Sequence, residues 1–399
     1  MLVVSEIALA LVLVIGAALL IRTSLALGAV KPGFDAHNVL TMRMSLAGRQ
    51  FLNSAAIDQV VRDGTRRIRA LPGVLSASAT CCIPLEGGYG LPFRVMGRPL
   101  EDGPFHGGGG WQTISPDFFE VFKVPVVRGR SITELDNAAG PPVVVINEAM
   151  AKRFWPKSDP LQDRILIGKG VMAELATEVP RQIIGIVSDF RDGGLNQDPQ
   201  PTMFIPNAQV PDALNALNVR LTPLAWVVRA QGDPMQLSPA VQEQLRQATG
   251  LPVSDIRTMD EVVSRSTSRE RFNMLLMTVF GAAALLLAAI GVYGLVTYTV
   301  QQRTQEIGIR MALGAQTNGI LKMVVSQGMI ISAIGIVSGA VGAFFLAKIL
   351  ESFLFGVKPR DPVAFVAVPL VLIAVALIAV MVPAIRATRI DPVTALRYE

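Results

Sequence analysis

The side chains of this sequence best suited to chemistry stand apart from one another. Cys81 and Cys82 are adjacent. A disulfide between neighbours is strained, and no His or further Cys lies near enough to complete a redox or metal site. They read as two small, semi-buried residues. His37 and His106 are far apart and give no metal-ligand spacing. The acidic pair Asp260-Glu261 sits in a polar helix-entry context, where solvation or capping accounts for it. Gly107 to Gly110 is followed by neither Lys-Ser/Thr nor an opening helix, so it reads as a flexible loop rather than a phosphate cradle. Gly168-Lys169-Gly170 likewise lacks the rest of a nucleotide-binding loop. No nucleophile elbow, zinc-protease helix or dinucleotide fingerprint occurs. The expectation is a binding or mechanical protein with no catalytic residues and no metal site.

One short stretch carries more organisation. Between Gln302 and Ala315, Arg303, Glu306 and Arg310 are spaced for i,i+3 and i,i+4 pairing, while Ile307, Met311 and Gly314 share one helical face. This predicts a short amphipathic helix at a membrane surface. What holds it there is the apolar run on either side.

The chain has 399 residues, 51% hydrophobic and 17% charged, where soluble domains carry roughly 25% charged residues. A membrane span needs about 20 apolar residues. Met274 to Val300 carries no charged residue over 27 positions, Met323 to Ala347 none over 25, and Val363 to Ile385 none over 23. Ile7 to Ile21 is a shorter run of 15 between Glu6 and Arg22. Its length also fits a signal-peptide core, but no Lys or Arg precedes it. It reads as a retained span, with Glu6 and Arg22 reaching the interfaces. The fold class is thus a multi-pass α-helical membrane protein of four spans, over residues 5–27, 272–300, 322–348 and 363–385. A large α+β extracytoplasmic domain over 28–268 separates spans one and two.

Small residues in the third span, Gly335, Gly339 and Gly342 with Ser338 between them, form a GxxxG pattern that lets helix backbones approach. Packing within the chain and contact with a second membrane subunit both fit it. No charge interrupts the three longer spans, which disfavours an ion-coupled carrier. The net charge of +5 is scattered among acidic residues, so no nucleic-acid stripe exists. Orientation by charge is a tie: Arg303, Arg310 and Lys322 in the segment over 301–321 and its border oppose Lys348, Lys358 and Arg360 in the loop over 349–362. Arg386, Arg389 and Arg397 in the tail over 386–399 tip the balance toward cytoplasmic termini.

Within the large domain, Val39 to Ser45, Val143 to Ile146, Gln182 to Ser188 and Ala225 to Arg229 have strand character. Ala55 to Leu71 reads as an amphipathic helix ended by Pro72-Gly73, with further helices at Glu148 to Phe154 and Pro239 to Ala248. Pro/Gly-rich connectors such as Glu86 to Gly110 divide the domain into two lobes. Ser264 to Asn273 is polar and free of Pro and Gly, which predicts one continuous helix projecting from the second span into the domain.

The string from Gln305 to Ala315, QEIGIRMALGA, resembles the hallmark of MacB/FtsX-type permeases of ATP-binding-cassette (ABC) transporters. Pro383 to Ala387 followed by Asp391-Pro392-Val393-Thr394-Ala395-Leu396-Arg397 is similar to that family's closing motif. Ser115 to Phe119, Gly129-Arg130, Asn147-Glu148, Phe154-Trp155-Pro156 and Gly185 to Asp189 resemble its periplasmic domain. The resemblance covers nearly the whole chain and is greatest to one half of the two-repeat permeases of acidobacterial (ADOP) type, which fits a start without positive charge. Leu161 to Arg164 and Cys81-Cys82 depart from the family pattern.

The resemblance implies a permease subunit, not an enzyme, that binds no cofactor directly, with ATP held by a partner ATPase. It implies that Arg303, Glu306, Gly308, Arg310 and Gly314 form the ATPase-coupling set, Glu306 and Arg310 by charge and the glycines by close approach. Motion would pass along the second span to the outer domain and move a periplasmic substrate, as mechanotransmission in export or efflux. Further implied partners are a second permease half or a homodimer, a periplasmic adaptor and membrane lipid, but no nucleic acid. The implied location is the bacterial inner membrane, multi-pass, with the large domain periplasmic and both termini cytoplasmic. The alternative within the family is an FtsX-like regulator that activates a periplasmic partner. A membrane-anchored sensor would leave the helix after the second span without a purpose.

Overall fold

The structure, a computed structural model, describes residues 2–46, 48–100, 103–313 and 316–388. It divides into two compact units, one over 30–267 and one formed by residues up to 29 together with those from 268 onward.

The membrane unit begins with α1 (Leu2–Gly28). The chain then builds the domain through β1 (Val39–Met44), α2 (Ser54–Arg69), β2 (Val74–Thr80), β3 (Tyr89–Val95), β4 (Gly107–Ile114), α3 (Phe118–Val121), β5 (Val126–Gly129), β6 (Val143–Asn147) and α4 (Glu148–Phe154). It continues with β7 (Arg164–Ile167), β8 (Arg181–Val187), β9 (Thr202–Pro206), α5 (Asp212–Leu221), β10 (Leu224–Ala230), α6 (Pro234–Thr249), β11 (Val253–Thr258) and α7 (Met259–Ser266).

Among the described residues the eleven strands belong to one mixed sheet, but it encloses two cores. β4, β3, β7, β8, β6 and β9 pair in that order, and β9 returns parallel to β4, so these strands close a ring. Phe93, Trp111, Ile146, Ile165 and Ile205 fill it. β11, β1, β10 and β2 form an open antiparallel layer instead. Its core joins Met42, Trp226 and Val228 of the sheet to Ile57, Val61 and Ile68 of α2 and Leu245 of α6. The lobes meet where Thr80 of β2 pairs with Ile114 of β4.

The helix α2 shows why the pattern works. Asn53 accepts from the Ala56 N–H at 2.8 Å and starts it. Ile57, Val61 and Ile68 then fall on one face, each worth about 1.5–3 kcal/mol when buried. Gly64 on that face admits the Trp226 indole.

The flexible loop expected at Gly107 to Gly110 is instead the first half of β4, paired with β3 from Gly107 to Trp111. These glycines are spacers. The Phe154 ring lies where a side chain at Gly107 would stand, and a Cβ on Gly109 would come within 2.8 Å of the Pro201 carbonyl. Glycine in a strand marks a close approach, and here it lets β3, β4 and β9 close the ring.

The membrane unit resumes with α8 (Ser268–Gln302), α9 (Thr304–Ala312), α10 (Thr317–Leu346) and α11 (Pro362–Ala387). Helices α1, α8, α10 and α11 are each long and apolar enough to cross a membrane. The short first run is the centre of the bundle. It packs against all three of the others, and 44% of its most apolar stretch is buried, against 17–28% for theirs. Ile7, Leu11, Ile15 and Leu19, four residues apart, form its buried stripe. Arg22 ion-pairs with Asp361 at the start of α11. Glu6 places its carboxylate against Gly291 of α8.

The continuous helix expected through Ser264 to Asn273 is broken. α7 ends at Ser266, and Thr267 turns out of the helix at φ −111°, its amide closing on the carbonyls of Ser264 and Arg265. The Thr267 hydroxyl also bonds to Ser264 O at 3.2 Å, so the β-branched side chain holds a helix end. α8 then starts afresh at Ser268 and runs about 52 Å.

Candidate functional site

α9 follows α8 after one residue, Arg303, whose φ of −103° and ψ of 14° end the long helix. Ile307 is 1% exposed and Gly308 is buried, so this side of α9 faces its own membrane unit. Gln305, Glu306, Ile309, Arg310 and Leu313 face outward. Glu306 and Arg310 pair with each other at 2.5 Å across one turn. Arg310 also points Nη1 at the Met323 sulfur of α10, 3.1 Å away. Arg303 lies off that face, with Nη1 3.5 Å from Gln327 Oε1 of α10.

The five residues expected to act together are therefore distributed. Glu306 and Arg310 share the outward face, Arg303 turns toward α10, Gly308 faces inward, and Gly314 lies outside the described residues. The outward face has a feature that the charge spacing hid. Ile309 is 47% and Leu313 83% exposed, and they stand one turn apart beside the ion pair. The signal was an i,i+4 apolar pair on the side opposite Ile307 and Met311. The closing motif from Asp391 to Arg397 and the tail arginines Arg389 and Arg397 also lie outside the described residues.

The GxxxG face of α10 lies against α1. A Cβ on Gly335 would sit 2.8 Å from Ile7 Cβ, and one on Gly339 would sit 2.7 Å from the Ala8 carbonyl oxygen. A Cβ on Gly342 would meet only Val12 Cγ2, at 3.7 Å. Ser338 turns its hydroxyl back to Gly335 O at 3.0 Å. Two of the three glycines thus set the approach of α1 to α10.

The histidines and cysteines of the outer domain have local structural partners. His106 accepts the Val95 N–H at Nδ1 and donates from Nε2 to Pro99 O, both at 3.0 Å, bracing the turn between β3 and β4. His37 is 3.3 Å from Asp260, in the first turn of α7. Among the described residues no group of His, Cys, Asp and Glu could hold a metal ion. Cys81 accepts the Thr113 N–H at 3.3 Å. The Cys82 thiol is pushed up by its hydrogen bond with Cys81 and by burial, which makes it a poor nucleophile. Burial pushes Asp192 up to about 6, with the Gln112 amide easing it. Lys169 donates to Glu178 O at 3.2 Å and closes its own turn.

Two family models match the chain: the MacB-like periplasmic core domain over residues 7–248, and the FtsX-like permease C-terminal over residues 278–392. The pyoverdine export ATP-binding/permease protein PvdT of Pseudomonas entomophila is 29% identical over 355 residues, covering 85% of this chain and 49% of that protein. The macrolide export ATP-binding/permease protein MacB of Azoarcus sp. is 26% identical, covering 69% of this chain and 40% of its own length. The ABC transporter permease YvrN of Bacillus subtilis is 27% identical, covering 72% of this chain and 69% of itself. The chain thus spans less than half the length of the PvdT and MacB relatives. Among solved structures, the periplasmic region of MacB from Actinobacillus actinomycetemcomitans is similar at a TM-score of 0.38 and 16% identity, covering 59% of this chain and 95% of that one.

Proposed function

Because this chain belongs to the MacB/FtsX-like family of ABC transporter permeases, we propose that it is the membrane arm of an exporter driven by a separate ATPase. The ATPase docks on the outward face of α9. Its ATP-driven closure pushes α9, α8 carries the displacement to Thr267, and the outer domain acts on a substrate outside the membrane. In this reading the chain lies in a bacterial inner membrane with α9 and both termini cytoplasmic and the large domain periplasmic. It works beside a second permease half or a second copy, with a periplasmic adaptor as a further partner.

The observation that carries the reading is the composition of the α9 face. Ile309 and Leu313 expose apolar surface beside the Glu306–Arg310 pair, while Ile307 holds the helix to its own bundle. An apolar anchor rimmed by charge is what a protein partner recognises. A free surface helix would instead lay its apolar side against the bilayer.

The test is co-purification of the ATPase with the full chain from membranes. Ile309→Asp combined with Leu313→Asp should reduce recovered ATPase at least about tenfold, since two buried aliphatic anchors are worth about 1.5–3 kcal/mol each. Insertion, read as the amount of full-length chain in the membrane fraction, should not change. Undiminished co-purification refutes the docking face.

A further inference from the structure

Beside α9 the bundle leaves a cleft of about 290 Å³ between the last turns of α8 and the first turns of α10. Leu295 and Val300 of α8, Ile307 of α9, and Val324 and Ile331 of α10 line it. Its interior is apolar. Arg303 and Gln327 stand on its wall and face each other at 3.5 Å. α8 and α10 touch each other little and are joined through α1 and α11, so the cleft follows from the packing of the bundle.

The charge at the cleft is unbalanced. Among the described residues Arg303 has no carboxylate within ion-pair distance, whereas Arg310 is paired with Glu306 and, at the other end of the bundle, Arg22 is paired with Asp361. Lys322, exposed one position before the cleft residue Met323, adds a second cation on α10. The level is defined by the chain itself. Arg303 is where α8 ends and the surface helix begins, so the mouth lies where headgroups meet acyl chains.

We propose that this cleft binds one acidic phospholipid, with an acyl chain between α8 and α10 and its phosphate on Arg303. A zwitterionic headgroup brings its own cation and gains less there. The bound chain packs against Ile307, so the lipid becomes part of the seat on which α9 rests. This site lies on the side of α9 away from its outward face and is independent of what docks on that face.

The experiment uses the purified full chain in detergent, exchanged into equal amounts of phosphatidylglycerol and phosphatidylcholine and then diluted. Lipids that remain bound are counted by native mass spectrometry. The expected result is one retained phosphatidylglycerol per chain, favoured over phosphatidylcholine by about fivefold or more, as one cation at a headgroup contributes. Arg303→Gln should remove the preference, and Leu295→Trp, which fills the cleft, should remove retention. Ser326→Trp, on an exposed side of α10, should retain the lipid as the native chain does. If Leu295→Trp does not fold, Arg303→Gln decides alone. Equal retention of the two lipids by the native chain, or an unchanged preference in Arg303→Gln, overturns the proposal and leaves only an unspecific lipid shell. The readout is bound lipid, so a failure here does not touch the docking of the ATPase.

Discussion

Adding one methyl group at Gly339 should loosen the membrane unit, and adding one at Gly342, three residues on, should not. A Cβ at Gly339 would lie 2.7 Å from the Ala8 carbonyl oxygen, 2.8 Å from the Ala8 Cα and 3.0 Å from Leu11 Cβ. Two of these are backbone atoms, which no rotamer change can move. Ordinary contact begins at 3.4 Å, so α1 and α10 must part by about 0.7 Å. A gap of that size forfeits roughly a quarter to a half of each dispersion contact along the seam, and overpacking of this kind costs about 1–3 kcal/mol. At Gly342 the added methyl meets only Val12 Cγ2 at 3.7 Å and fits. The assay is maleimide labelling of a cysteine placed at the fully buried Ala10 (Ala10→Cys), in a chain carrying Cys81→Ser and Cys82→Ser. Labelling reports the fraction of time the bundle is open. Gly339→Ala should raise its rate roughly 5- to 150-fold, the free-energy range converted at 1.4 kcal/mol per tenfold. Gly342→Ala should stay within about twofold of the parent. Equal rates for the two variants would refute the packing and turn the glycine face toward another subunit.

The same labelling assay tests the opposite end of the bundle. Asp361 caps α11 by accepting the Val363 N–H at 2.8 Å and also holds Arg22. Asp361→Asn should lose only the charge, while Asp361→Ala should lose the cap as well, a further cost of about 1 kcal/mol. Labelling that fails to rise from parent to Asn to Ala contradicts the double role. In the outer domain, a carboxyl raised to about 6 in the folded state binds its proton more tightly there than in the unfolded chain. Asp192 therefore contributes stability at low pH that is lost as pH rises from about 4 to about 6. Trp111, Trp155 and Trp226 all lie in this domain, so the fluorescence of the full chain follows its unfolding alone. Asp192→Asn should flatten that pH window and gain about 3 kcal/mol at pH 7. An unchanged slope would assign the titration to another group.

The spans were legible because a bilayer offers the backbone no water, which forces long uninterrupted apolar helices whose length can be read directly. The strands were only partly legible. β6, β8 and β10 carry β-branched runs, while β3 and β4 contain Pro92 and five glycines, and their pairing is set by segments distant in sequence. Composition alone makes Gly107 to Gly110 a loop. It becomes a strand only once Phe154 and Pro201 occupy the space a side chain would need. The charges of α9 and its apolar face at Ile307 were visible in the spacing, but the inward place of Gly308 was not. Which side of a nine-residue helix is buried depends on α8 and α10, so Gly308 turned inward and the exposed apolar residues are Ile309 and Leu313. The central place of α1 was hidden for the same reason, since its modest length says nothing about how many neighbours surround it.

The arrangement of the four spans constrains how any push on α9 can travel. α9 is tied to α8 through the backbone of Arg303 and to α10 through Arg310 at Met323 and Arg303 at Gln327. Those two helices scarcely touch each other, and each instead packs closely on α1. A force that moves α8 relative to α10 must therefore slide at least one of them along α1. The seam of α1 with α10 is fixed by backbone contact at Gly339 and by Ile7 at Gly335. The seam with α8 is close as well: the Glu6 carboxylate fills the space beside Gly291, and a Cβ on Gly281 would sit 3.5 Å from Ala17 Cβ. Whichever of the two slides, it must shear a closely packed face of α1. The cleft beside α9 lies on the α8–α10 boundary that this motion would open and close, so a bound lipid chain there would set the resting position of the moving helix.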